Sequence, residues 1–123
     1  MATILIVEDN PQNMKLETFL LESGGHTIFQ ANDADSGLQL AVSNRPDLVL
    51  MDIQLPGMDG LEAARRLKAD PLTADIVIYA LTAFAMKGDE ERIREAGCDG
   101  YISKPIRHRE FLDTVNRALE GGT

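Results

Sequence analysis

Residues 47–52 run Asp47-Leu48-Val49-Leu50-Met51-Asp52. Four apolar residues stand between two aspartates, with Pro46 before them and Pro56-Gly57 soon after. A brief apolar run between turn signals reads as a strand buried on both faces, the habit of parallel sheets. Asp52 stands where that strand ends. In open α/β sheets, sites form beyond the carboxyl ends of the strands, so this carboxylate is a site candidate on position alone.

Working outward, two more apolar runs read the same way: Thr3-Ile4-Leu5-Ile6-Val7 and Asp75 through Leu81. His26 to Ala31 and Gly100-Tyr101-Ile102-Ser103 supply two shorter strands. Helical patterns lie between them. Asn10-Pro11 opens the first helix, with Asn10 as cap, and Gly24-Gly25 stops it after Ser23. Leu16, Phe19 and Leu20 are expected on its inner face, with Lys15 and Glu22 toward water. Asn32 or Asp33 caps the second helix, whose inner face is expected to carry Leu38, Ala41 and Val42; Arg45-Pro46 ends it. The third is expected over about Met58 to Ala69, burying Leu61, Ala64 and Leu67. A charged fourth helix runs through Glu90-Glu91-Arg92 to Ala96. The last carries Phe111, Leu112, Val115 and Leu119 on one face.

Five strands alternating with five helices predict an α/β fold: a five-stranded parallel sheet with helices on both faces. The 123 residues fit one domain, and the short connections leave no linker or repeat. Met1 close to the first strand and Gly121-Gly122 after the last helix are expected to mark a complete single domain, residues 1–123, without an output domain.

Twenty acidic against twelve basic residues give a formal charge of -8, which argues against a nucleic-acid surface. Arg107, His108 and Arg109 form only a small basic rim. One cysteine, Cys98, excludes an internal disulfide and a cysteine-rich metal site; it reads as a space-filler and fits a reducing cytoplasm. No signal peptide and no run of membrane-spanning length are visible, so no membrane insertion is expected. His26 and His108 have no ligand spacing.

The strand ends converge. Glu8-Asp9 follow the first strand, Asp52 closes the third, Thr82 the fourth and Lys104 the fifth, and a parallel sheet brings all of these to one rim. Taken singly, they are loop acids, a strand-end threonine and a surface lysine. Taken together, three carboxylates either take up a proton or share a cation. Hard oxygen ligands with room for water favour Mg²⁺. A carboxylate is also a nucleophile in aspartyl-phosphate chemistry, and phosphoryl transfer mainly needs its oxygens positioned and neutralised. Lys104-Pro105 is compatible with a cis bond or with a trans proline opening the last helix.

With these residues in view, the sequence resembles the receiver domain of bacterial two-component signalling. The resemblance rests on Ile4 through Asn10, Asp47 through Gly60, Ala80-Leu81-Thr82-Ala83 and Lys104-Pro105, and it covers essentially the whole chain. It implies the CheY-like strand order 2-1-3-4-5 and a phosphoacceptor role for Asp52. Glu8, Asp9, Asp52 and the backbone carbonyl of Gln54 would hold Mg²⁺, with Asp9 a direct ligand. Lys104 matches the phosphate-binding lysine, Thr82 the switch hydroxyl and Tyr101 the switch aromatic. Gln54 and Phe84 would flank the phosphoryl group. Thr82 to Cys98 and Tyr101 to Ile106 look narrower still, similar to single-domain regulators of cell division.

The resemblance implies a phosphoryl donor, either a sensor histidine kinase or a histidine phosphotransfer protein. It also implies a downstream protein bound through the fourth helix, fifth strand and fifth helix. No turnover enzyme is expected. The alternatives are an interaction module that keeps the fold without phosphorylation, and a receiver fragment of a larger regulator or hybrid kinase. A hydrolase is disfavoured because position 54 is Gln, leaving no second carboxylate in an Asp-x-Asp arrangement. A flavodoxin-like cofactor binder is disfavoured because no Gly-rich phosphate loop follows the first strand.

Overall fold

The computed structural model describes residues 2–83 and 87–121. Among them the chain alternates β1 (Thr3–Val7), α1 (Pro11–Ser23), β2 (Thr27–Ala31), α2 (Ala34–Asn44), β3 (Leu48–Asp52), α3 (Gly60–Ala69), β4 (Val77–Thr82), α4 (Lys87–Glu95), β5 (Gly100–Ser103) and α5 (His108–Gly121). The strands form one parallel sheet in the order β2-β1-β3-β4-β5, as the resemblance implied. Central β3 is buried along its whole length, which is why it reads as an unbroken apolar run. No helix among the described residues is long and apolar enough to cross a membrane.

Alternation along the strands divides the core in two. Val49, Met51, Ile78 and Ala80 point to one face, where they meet α2, α3 and α4 through Ala41, Leu61, Leu67, Ile93 and Ala96. Leu48, Leu50 and Leu81 point to the other, where Met14, Leu20 and Leu21 of α1 and Phe111, Val115 and Ala118 of α5 cover them. On α5, Leu112 and Leu119 pack at the margin of that core while Ala118 enters it, a small shift from the expected face.

The faces of α1 and α2 differ from expectation. On α1 the buried residues are Met14, Glu17, Leu20 and Leu21, while Phe19 is 66% exposed and Leu16 only half-buried. The inner stripe has helical spacing, but its middle position is a glutamate, and this hid it. On α2 the buried residues are Ala34, Gly37 and Ala41; Val42 is largely exposed and Leu38 sits at the margin. Gly37 lies so close to β1 that an added Cβ would come within 2.8 Å of Val7 Cγ2, so small residues rather than large ones define this face.

Element boundaries shift for identifiable reasons. Asp33 caps α2 by accepting from Ser36 N. Asp59 caps α3 by accepting from Glu62 N, so that helix begins at Gly60 and not at Met58. The His26 N–H bonds back to Leu21 O, which leaves Thr27 as the first residue of β2. Ile76 N bonds Thr73 O in a turn, so β4 begins at Val77 and runs through Thr82. Lys68 then ties α3 to this region: its Nζ donates to Ile76 O at 2.7 Å and to Asp99 Oδ2 at 3.1 Å.

Candidate functional site

The site grows from the ends of β1, β3 and β5. Strand β1 carries the chain to Glu8, whose N–H bonds Ala31 O across to β2 and whose side chain is buried. Asn10 then caps α1, its Oδ1 accepting from Gln12 N and Asn13 N, while its own N–H donates to Glu8 Oε2 at 3.3 Å. The helix start thereby holds Glu8. Asp52 ends β3 as a buried residue, 4% exposed, and its Oδ1 accepts from Gln54 N at 2.8 Å. Gly60 passes against this strand end so closely that a Cβ there would lie 2.0 Å from Asp52 O; only glycine fits.

Lys104 closes the group. Its backbone N–H bonds Thr82 O at 2.7 Å, joining the ends of β4 and β5. Its Nζ lies 2.8 Å from Glu8 Oε1 and 3.0 Å from Asp52 Oδ2. The Lys104–Pro105 peptide is cis, the first of the two conformers the sequence allowed. Oxygens of Glu8, Asp9 and Asp52 all lie within 4.8 Å of one another, with Asp9 exposed and the other two buried.

Crowding sets the charges. Burial and the neighbouring Glu8 push Asp52 up to about 6. Burial also works upward on Glu8, but hydrogen bonding with Asp52 and Lys104 outweighs it and holds that carboxyl below its ordinary value. Burial works against the Lys104 cation, yet its two carboxylate partners raise it overall. One ammonium thus stands against three acids, and the cluster remains short of positive charge.

The structure brings Glu8, Asp9, Asp52 and Lys104 together and places Thr82, buried, at the same rim. Gln54 is there too, its N–H spent on Asp52. Phe84 lies outside the described residues. Tyr101 stands apart: it packs against the core under α4, and its hydroxyl donates to Glu90 Oε1 on that helix. Cys98 is partly buried, and burial with the nearby Asp99 charge pushes its thiol up to about 11, in keeping with a space-filling role.

One residue of the site escaped the sequence reading. Glu17, in the middle of the buried stripe of α1, is fully buried with neither oxygen bonded to any donor. Burial and the Glu8 charge push it up to about 9, so it faces Glu8 as a neutral acid. Its position three residues after Met14 and three before Leu20 was the signal that could have found it.

Comparison with known proteins agrees with this geometry. Residues 4–116 match the response regulator receiver domain. The chain is 50% identical over 117 residues to the polar-differentiation response regulator DivK of Brucella anthropi, covering 95% of both chains, and 49% identical to that of Brucella ovis over the same share. Among solved structures it is similar to the receiver domain of a Pseudomonas aeruginosa sensor histidine kinase, solved with a magnesium ion coordinated in its active-site cleft. That match has TM-score 0.89 and 34% identity, covering 97% of this chain and 98% of that one. A CheY-like receiver protein from Methanospirillum hungatei superposes with TM-score 0.91 at 28% identity, covering 99% and 96%. By the match over residues 4–116, with its fold and strand order, the chain belongs to the response regulator receiver domain family.

Proposed function

We propose that this receiver is a phosphorylation-controlled switch in which Asp52 accepts a phosphoryl group from a phosphohistidine of a sensor kinase or phosphotransfer protein. The observation that carries the reading is Lys104 Nζ bridging Glu8 and Asp52 with Asp9 alongside. A carboxylate oxygen of Asp52 forms the new bond to phosphorus as the P–N bond of the donor breaks, and the imidazole keeps the electron pair. Lys104 would neutralise a phosphoryl oxygen, and the Thr82 hydroxyl, at the end of the adjacent strand, would bond another.

The donor set fits magnesium. Glu8, Asp9 and Asp52 offer hard oxygens, and the exposed side at Asp9 leaves room for the waters Mg²⁺ retains. The Gln54 carbonyl is the proposed fourth protein ligand. When bound, Mg²⁺ supplies the positive charge that the cluster lacks. The protein would hold and slowly lose one phosphoryl group, without turnover of a substrate. Its output would be protein binding through α4, β5 and α5, with Tyr101 turning inward as Thr82 moves toward the phosphoryl group. The half-identity to polar-differentiation response regulators supports a place in the control of cell polarity and division, and the protein would act in the cytoplasm.

The metal part of the reading is tested with radiolabelled acetyl phosphate. Incorporation is expected to require Mg²⁺ and to disappear with EDTA. Asp9→Asn, at an exposed position that leaves the core intact, is expected to raise the Mg²⁺ concentration for half-maximal labelling at least about tenfold, because losing even an outer-shell partner of a metal costs about that much. Equal labelling with and without Mg²⁺ would sink it.

A further inference from the structure

The acidic start of α4 contains two neighbouring side chains that behave differently. Asp89 pairs within its own helix, with Arg92 Nη1 at 3.5 Å. Glu90 instead reaches across to β5 and accepts the Tyr101 hydroxyl. The helix that carries it is anchored in the core by Ile93, and Ala96 just past its end is buried there too, so the backbone presenting the carboxylate is held in place.

Tyr101 is placed where this bond matters. In the β4–β5 register it stands beside Ala80, and Thr82 lies two residues further along the same face of β4. Ala80 offers only a methyl group there, so the face between the Tyr101 ring and Thr82 carries no bulky side chain on β4. A ring that turns along this face toward Thr82 must first release its hydroxyl from Glu90.

We propose that Glu90 is a positioning residue for the switch: its carboxylate holds Tyr101 outward against α4 and so sets how much phosphoryl binding is needed to turn the ring inward. The proposal rests on the phosphorylation switch argued above and adds a resting-state latch to it. A hydrogen bond made only in the resting state lowers the affinity of any ligand that needs the other state, by the factor by which it favours the resting population.

The test uses beryllium fluoride with Mg²⁺, a tetrahedral stand-in for a phosphoryl group on a carboxylate, and protein labelled with 3-fluorotyrosine. The chain has two tyrosines, and Tyr101→Phe identifies the Tyr101 signal by its loss. Glu90→Ala is expected to move the Tyr101 fluorine signal of the free protein toward its analogue-bound position. It is also expected to tighten analogue binding about five- to tenfold, the scale of one half-exposed hydrogen bond to a charged group. Tyr101→Phe, which keeps the ring and loses the donor, should tighten binding to the same extent, and the double variant no further. Glu90→Gln keeps a neutral acceptor and should fall between. A merely structural role for Glu90 would weaken binding or leave it unchanged. The latch is overturned if Glu90→Ala binds with wild-type affinity, or if its effect adds fully to that of Tyr101→Phe. If no protein, wild type included, binds the analogue, the phosphorylation switch fails as well, a result distinct from equal binding by all.

Discussion

Glu17→Leu is expected to stabilise the fold by about 3 kcal/mol at pH 7, more at higher pH and hardly at all near pH 4. In the folded chain this carboxyl is pushed from its ordinary 4.5 up to about 9 by burial and by the Glu8 charge. Between those values the folded form holds a proton that the unfolded chain has released. Stability is therefore full below about pH 4.5 and falls as pH rises toward 9, by about 1.4 kcal/mol per unit. Two and a half units of that slope have accumulated at pH 7. Leucine fits an apolar stripe between Met14 and Leu20 and has no proton to lose. Urea unfolding of both proteins in EDTA at pH 5, 7 and 8.5 checks this. Parallel pH dependences for the two proteins would show that Glu17 is not held neutral.

The opposite result is expected at Lys104. Its Nζ is the cation between Glu8 and Asp52, two side chains almost wholly buried. Lys104→Met keeps the stem and removes the charge. Truncating one side of a buried ion pair leaves its partners uncompensated, and a loss of about 3 kcal/mol is expected in EDTA. The direction also follows for Asp52: with the ammonium gone it rises further above about 6. Mg²⁺ should restore part of the lost stability, because it supplies charge to the same oxygens, and it should restore more in the variant than in the wild type. Denaturant midpoints with and without Mg²⁺ measure both effects. An unchanged midpoint in EDTA would mean that Lys104 does not carry the balance of charge assigned to it.

These two residues also mark what sequence could and could not tell. Lys104 was legible because it follows a short strand, and strand ends in a parallel sheet share a rim; so were Glu8, Asp9, Asp52 and Thr82. The strands themselves were legible as apolar runs, although their spatial order came from family resemblance and not from periodicity. Glu17 was not legible because a glutamate is ordinarily placed on the wet side of a helix, and Phe19 on the dry side. The fold reverses both, with Phe19 66% exposed and Glu17 fully buried. On α2 the close approach of Gly37 to Val7 rotated the buried face toward small residues that carry little hydrophobic signal. The bond from Tyr101 to Glu90 spans two elements and has no spacing signature, so only the packed structure reveals it.

The phosphorylation switch depends on Asp52 as phosphoacceptor. This is tested most directly by incubating the protein with acetyl phosphate and Mg²⁺ and recording intact mass beside Asp52→Asn. A gain of one phosphoryl group is expected in the wild type and none in the variant. A wild type that stays unmodified while folded and bound to Mg²⁺, from acetyl phosphate and from a phosphohistidine donor alike, would contradict it. The chain would then be a receiver fold serving as an interaction module without phosphorylation.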